Sequence, residues 1–256
     1  RNFAALIVGA SGFVGRRMFA LLGPQRSIAT YNRRPIEGGV RFDAQDGRLI
    51  DILNAMPRRI THVFILFGAI DMEGCARDPA GTAQVNVASV RRMIDDTISY
   101  GAMPVYASTD YIFDGSRGGW GEDDAARPVM AYGQQKLAIE TYLRSLAAPW
   151  LAARFSKVVS GETGTHSLLG QWVEDIRAER VHRCACDQIF SPAFVDDVAE
   201  AMVKLALSGR RGLFNLAGPD AYSRVDLLRL LVENIRALRP EIDPEILPVS
   251  LHDLPF

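Results

Sequence analysis

The sequence predicts a doubly wound α/β fold, in which a parallel sheet carries helices on both faces and a smaller C-terminal lobe follows. Three observations predict it. Short β-branched or apolar runs alternate with longer helical patterns, as in βαβ units. The strand-like run Ala4 to Val8 passes straight into evenly spaced glycines and then a helical stretch. Beyond Arg154 the alternation weakens, where a second, smaller lobe is expected to begin.

In chain order, the patterns predict strands at about 4–8, 27–31, 39–42, 62–67, 103–108 and 150–154, and helices at about 14–22, 47–55, 81–100 and 131–147. The glycine-rich stretch Gly115 to Gly121 is the nearest thing to a linker and is expected over a cleft. After it come a Ser/Gly/Thr-rich segment at about 160–167, an amphipathic helix at about 168–180 and a helix start at Asp196-Asp197. Leu213 to Ala217 is expected as a strand and Gly218-Pro219 as a turn. Arg224 to Leu238, with leucines at i, i+3 and i+4, reads as a core helix.

Composition removes several function classes. Hydrophobic residues make up 48% and charged residues 23%, ordinary for a globular chain. A formal charge of −1 gives no global attraction to nucleic acid or to anionic membranes. The apolar opening from Phe3 to Val8 is too short for a signal segment or a membrane span. Cys75, Cys184 and Cys186 are odd in number and form no C-x-x-C pair, which fits a reducing cytoplasm. Cys184 and Cys186 alternate across an expected strand as small core or edge residues. His62, His166, His182 and His252 show no ligand spacing, and no metal is expected. The chain opens without Met and stops on Leu254-Pro255-Phe256, so it reads as lacking one or both natural ends.

The glycines of the opening are Gly9, Gly12 and Gly15, in Gly9-Ala10-Ser11-Gly12-Phe13-Val14-Gly15. The first permits a tight strand-to-helix turn, the second a close approach to a pyrophosphate, and the third close packing of helix on strand. Phosphate charge then sits at a helix N-terminus, where unpaired N–H groups favour an anion. This is the dinucleotide end of a Rossmann-type sheet. The expected division is residues 1–155, with 186–208 returning, as the NAD(P)-binding domain, and 156–185 with 209–256 as a small substrate-binding lobe.

The second strand ends in Asn32-Arg33-Arg34, where an NAD site would present a carboxylate to the ribose. Two guanidiniums suit a 2′-phosphate instead, so NADP is expected over NAD. Asp43-Ala44 follows the third strand, and Asp43 is open to two readings, a contact to adenine or the N-cap region of the next helix.

Tyr132 and Lys136 stand four residues apart, on one face of a helix. A free phenol titrates near 10, and a neighbouring ammonium together with a positive nicotinamide ring favours its ionised form. The preceding strand ends in Ser108-Thr109-Asp110-Tyr111, at the sheet edge where open α/β folds bind ligands. Thr109 or Ser108 would hydrogen-bond a substrate carbonyl. Adjacent strand residues face opposite ways, so only one of them points inward.

Together, Gly9-x-x-Gly12-x-x-Gly15, Val85-Asn86-Val87, Ser108-Thr109-Asp110-Tyr111-Ile112-Phe113-Asp114-Gly115, Tyr132-x-x-x-Lys136, and Asp187-Gln188 followed by Pro192 and Asp197, resemble the dTDP-4-dehydrorhamnose reductase-like proteins among the extended short-chain dehydrogenases/reductases. The resemblance implies Thr109 as catalytic hydroxyl, Tyr132 as proton donor, and Lys136 as the residue that binds the nicotinamide ribose and lowers the tyrosine pKa. It implies that Asn86 orders the site and that Asp110 and Tyr111 lie near the sugar. Phe67, Gly68 and Ala69, at the end of the fourth strand, join the glycine turn, Asn32, Arg33, Arg34, Asp43 and Ala44 in the cofactor-binding set.

The chain departs from that pattern after Arg154, where Lys157 replaces a sugar-stacking Trp and offers a cation to a phosphate or carboxylate. The family's C-terminal extension is also absent beyond Phe256. The reading is NADPH-dependent reduction of a keto sugar nucleotide, in polysaccharide biosynthesis. Alternatives are a sugar-nucleotide epimerase or dehydratase, although Thr109-Asp110 lacks the glutamate usual in such dehydratases, and a non-catalytic NADP-binding subunit resembling the methionine adenosyltransferase β subunit. The helices at about 81–100 and 131–147 are expected to pair with a second copy in a homodimer.

Overall fold

Four consecutive apolar residues, Ala5–Val8, form β1 and are buried throughout, as a central parallel strand covered on both faces must be. The computed structural model describes residues 3–162 and 167–254. After β1 come α1 (Phe13–Arg26), β2 (Ser27–Tyr31), β3 (Val40–Arg41), α2 (Leu49–Asn54), β4 (His62–Ile65), α3 (Met72–Arg77) and α4 (Pro79–Ala83). A π-helical segment, Gln84–Ser89, leads into α5 (Val90–Tyr100), β5 (Met103–Thr109), a 3₁₀ turn at Asp110–Ile112, α6 (Ala131–Arg144) and β6 (Leu151–Phe155). The remainder is β7 (Val158–Val159), α7 (Leu168–Arg177), β8 (His182–Ala185), β9 (Ile189–Phe190), β10 (Ala193–Phe194), α8 (Val195–Leu207), β11 (Gly212–Leu216), β12 (Tyr222–Ser223), α9 (Arg224–Leu238), β13 (Ile246–Val249) and a 3₁₀ turn at Leu251–Asp253.

The main sheet has seven strands in the order β11-β6-β5-β4-β1-β2-β3, and every pairing in it is parallel. This is the Rossmann-type doubly wound order, with the direction of winding reversing between β1 and β4. The strand ends at that reversal form the crevice where such sheets take ligands. Alternation along β1 divides the core: Leu6 and Val8 pack with Leu53, Met93, Ile94 and Leu143, while Ala5 and Ile7 pack with Met18, Leu22, Met202 and Val203.

Two compact units emerge, residues 1–155 with 196–216, and 156–195 with 217–256. The return to the sheet therefore starts later and ends later than the sequence suggests. The expected boundary at 208 placed Leu213 to Leu216 in the small lobe, whereas β11 pairs along its whole length with β6. Five half-buried residues carry no signal of which sheet they join; the register with Leu151–Phe155 decides it. The smaller unit buries Trp172 and Ile176 of α7, Cys184 of β8, and Val225, Leu228 and Val232 of α9. Cys186, just past β8, is exposed.

Other differences are local. α1 turns non-helical at Gly23 (φ 67°), and Pro24 starts its last turn. The helix expected over 81–100 is split by the π-helical segment around Asn86. α3 went unforeseen, since six residues are too few to show a period. Of the Ser/Gly/Thr-rich segment, 163–166, including His166, lie outside the described residues; Ser167 accepts from the Gly170 N–H and caps α7. No helix of the described residues is long and apolar enough to cross a membrane.

Candidate active site

The turn from β1 to α1 leaves no room for side chains. Gly9 has φ +85°, and a Cβ there would stand 3.0 Å from the Leu66 carbonyl oxygen. A Cβ on Gly15 would lie 2.3 Å from the Gly9 carbonyl oxygen, so only glycine lets α1 seat against the turn. Gly12 begins the helix without a side-chain cap, which leaves the first-turn N–H groups, those of Phe13 and Val14 among them, to an outside acceptor. Ser11 is half-buried beside them. Backbone donors at a bare helix start, in a cradle that a Cβ would fill, fit a dinucleotide pyrophosphate.

At the end of β2, Asn32 Nδ2 donates to Asp43 Oδ2 (3.1 Å), and the Gln45 N–H donates to Asp43 Oδ1 (3.0 Å). Asp43 thus ties β2 to the turn after β3. It does not cap α2, whose first flanking residue is Arg48. Ala44 is buried, and Arg33 and Arg34 project as exposed side chains from the same edge.

Past β4, the chain runs through Phe67, Gly68 and Ala69. Asn86 Oδ1 accepts from the Ala69 N–H (2.7 Å), and its Nδ2 donates back to the Ala69 carbonyl (2.9 Å). A Cβ on Gly68 would stand 2.9 Å from Asn86 Oδ1. The π turn is what brings Asn86 inward: one extra residue in the turn rotates it into the interior, where it is 1% exposed.

β5 delivers the hydroxyls. Ser108 Oγ donates to Glu140 Oε1 at 2.5 Å, inside the protein. Thr109 stands at the strand end; its hydroxyl accepts from the Tyr111 N–H (3.3 Å) and lies 3.4 Å from Asp110 Oδ1. α6 starts hard against this turn, since a Cβ on Gly133 would be 2.1 Å from the Tyr111 carbonyl oxygen. That contact sets Tyr132, edge-on to Tyr111 with ring centroids 6.3 Å apart, beside the end of β5. One turn on, Lys136 Nζ donates to the Ala107 carbonyl (2.9 Å) and lies 4.8 Å from the centroid of the Tyr106 ring and 5.6 Å from that of Tyr132.

Burial governs the electrostatics. It pushes the Lys136 ammonium down to about 8, against the opposing pull of Glu140 and Cys75. It also raises the Tyr132 phenol well above its ordinary value, helped by Cys75, Tyr111 and Asp110. The sequence reading expected the lysine to favour the phenolate. In the protein alone desolvation wins, and Tyr132 holds its proton.

The geometry thus gathers Thr109, Asp110, Tyr111, Tyr132 and Lys136 at one sheet edge, in the same unit as the glycine turn, Asn86 and residues 67–69. Lys157 belongs to the smaller unit, where its carbonyl accepts from the Ala193 N–H. Sequence reasoning missed Gln135, Glu140, Arg154 and Tyr106. Two signals were present: Glu140 continues the four-residue stripe of Tyr132 and Lys136, and an Arg inside an otherwise apolar strand demands a buried partner. The glycine-rich loop is also ordered by its own contacts, with Trp120 stacked on Phe113 (4.7 Å) and covered by Arg117 (3.9 Å).

Comparison with known proteins gives these features a lineage. The "Probable low-salt glycan biosynthesis reductase Agl14" of Haloferax volcanii is 30% identical over 64% of this chain and 56% of that protein. A dTDP-4-dehydrorhamnose reductase of Mycobacterium tuberculosis is 29% identical over 72% of this chain and 61% of its own length. The chain therefore spans under two thirds of these relatives. A crystal structure of dTDP-4-dehydrorhamnose reductase from Bacillus anthracis in complex with NADP superposes with a TM-score of 0.86, covering 99% of this chain and 86% of that one at 19% identity, and shares the fold. The RmlD substrate binding domain family matches residues 4–255, almost the whole sequence, and the chain belongs to that family.

Proposed function

We propose that this protein is an NADPH-dependent reductase of a keto sugar nucleotide, with Thr109, Tyr132 and Lys136 at its catalytic centre. The observation that carries the reading is the convergence of a buried, protonated Tyr132 and a buried Lys136 on the strand end that bears Thr109. NADPH, when bound, supplies a hydride for the ketone carbon. Thr109 donates to the carbonyl oxygen and holds it, and Tyr132 delivers its proton to that oxygen as negative charge builds there. Between Thr109 and Ser108 the first is the catalytic hydroxyl, since Ser108 is committed to Glu140. Lys136 holds the cofactor ribose and, with that sugar in place, brings the phenol into a usable range. Gly9, Gly12 and Gly15 admit the pyrophosphate, and Arg33 and Arg34 receive the 2′-phosphate.

The test is NADPH oxidation, followed at about 340 nm, a property of the cofactor, with dTDP- and UDP-linked 4-keto sugars. Turnover is expected with at least one of them. NADPH binding without turnover on any, alongside co-purification of a partner enzyme, would replace the reductase with a regulatory subunit.

A further inference from the structure

Three segments meet around one side-chain amide. Gln135, 7% exposed and adjacent to Lys136 on α6, accepts from Asn86 Nδ2 at its Oε1 (2.7 Å). Its Nε2 donates to the Pro79 carbonyl (3.1 Å) and to Thr82 Oγ1 (2.9 Å). Thr82 spends its own proton on the Asp78 carbonyl (2.7 Å), so it can only accept from Gln135. At the other end, Asn86 is fixed by the Ala69 N–H, which can only donate, and the Ala69 carbonyl, which can only accept.

The network therefore has one polarity. Backbone groups at both ends determine which way each amide faces, and Gln135 hydrogen-bonds to both sides. With an apolar side chain at 135, the buried Asn86 Nδ2 loses its shortest acceptor and keeps the Ala69 carbonyl and a long contact to Cys75 Sγ (3.9 Å), while the Pro79 carbonyl, on an exposed residue, loses this donor. Asn86 keeps its two bonds to Ala69, but its tie to α6 is gone, and residues 68–69 are no longer anchored to that helix.

We infer that Gln135 is a positioning residue for the cofactor: through Asn86 it holds the loop Phe67-Gly68-Ala69 in its binding shape and ties that loop to the helix that carries Tyr132 and Lys136. The inference rests on the proposed cofactor site. It adds a role for Gln135 that the spacing of Tyr132 and Lys136 does not announce, since the residue faces α4 and the π turn.

Two variants test it, with NADP⁺ binding measured by calorimetry and fold checked by circular dichroism. Gln135→Met preserves volume without polarity and is expected to raise the NADP⁺ dissociation constant and the KM for NADPH about tenfold. Its kcat should stay within about threefold, because the loop holds the cofactor in ground and transition states alike. Gln135→Glu reads the polarity within a single folded protein. Protonated, its carboxyl can donate to the Pro79 carbonyl and accept from Asn86; ionised, it has no proton for Pro79. The charged and titratable groups around it are Lys136 on its own helix, Cys75 on α3 and Asp78 before α4. Its affinity for NADP⁺ should lie below the parental value at pH 8, and the deficit should shrink toward pH 5.

Folded variants that bind within twofold of the parent across that range would overturn the inference, as would a Gln135→Glu deficit equal at every pH. A parent that itself fails to bind NADP⁺ would overturn the cofactor reading and this inference with it. Parental binding with unaffected variants overturns the inference alone.

Discussion

Glu140 and Arg154 form a bidentate ion pair in the interior: Arg154 Nη2 lies 2.8 Å from Glu140 Oε2 and its Nε 3.1 Å from Oε1, with both side chains at most 2% exposed. Ser108 completes the carboxylate, and Phe113 covers the guanidinium at 5.0 Å. The pair thus joins β5, α6 and β6 directly beneath the strand end that bears Thr109. Removing one partner strands the other charge. Glu140→Leu is expected to cost roughly 3–5 kcal/mol in urea unfolding, and Glu140→Leu combined with Arg154→Met to recover much of it. A double variant no more stable than the single one would show that the pair does more than satisfy itself.

Lys136 has the opposite character: its burial works against its own charge. Burial lowers it to about 8, against about 10.4 in an unfolded chain. Between those values the unfolded state binds more protons, so this group's penalty on stability is full below about pH 8 and fades as pH rises toward 10.4. Lys136→Met should be more stable than the parent at pH 7, by on the order of 3 kcal/mol if the burial penalty is fully relieved. The gap should narrow between pH 8 and 10, as thermal melts of the two proteins can follow. In the parent, kcat/KM should fall as pH rises through about 8, where the ammonium is lost.

Tyr132→Phe keeps the ring and deletes the proton. Hydride transfer should slow by about 10²–10⁴ while NADPH affinity stays parental, measured by stopped-flow and cofactor titration. Lys136→Ala should lose both. Parental hydride transfer in the phenylalanine variant would remove Tyr132 from the mechanism.

Arg33 and Arg34 are exposed at the end of β2, and the proposed function assigns them the choice of cofactor. Replacing both with Ala should weaken NADPH by about 1.5–3 kcal/mol for each charge-assisted bond lost, and leave NADH nearly unchanged. Equal effects on the two cofactors would defeat the assignment of the 2′-phosphate to these residues.

The sequence by itself determined the features written in short spacings. Ala5–Val8 followed by Gly9, Gly12 and Gly15 announced the first strand, the turn and the helix, because burial on both faces and close backbone approach each restrict the residue types locally. Tyr132 and Lys136 were readable together because a helix turn brings positions four apart onto one face. Only the tertiary structure decided the rest. Ser108 and Thr109 are adjacent hydroxyls, and Glu140, 32 residues from Ser108, is what turns the first to the interior. Asn86 and Gln135 lie 49 residues apart and share a hydrogen bond that no periodicity encodes. β11 joins the main sheet through its register with β6. Tyr132 keeps its proton because the fold removes water from it. Spacing reports which residues share a face; desolvation and long-range partners, which set what those residues do, exist only once the chain has closed.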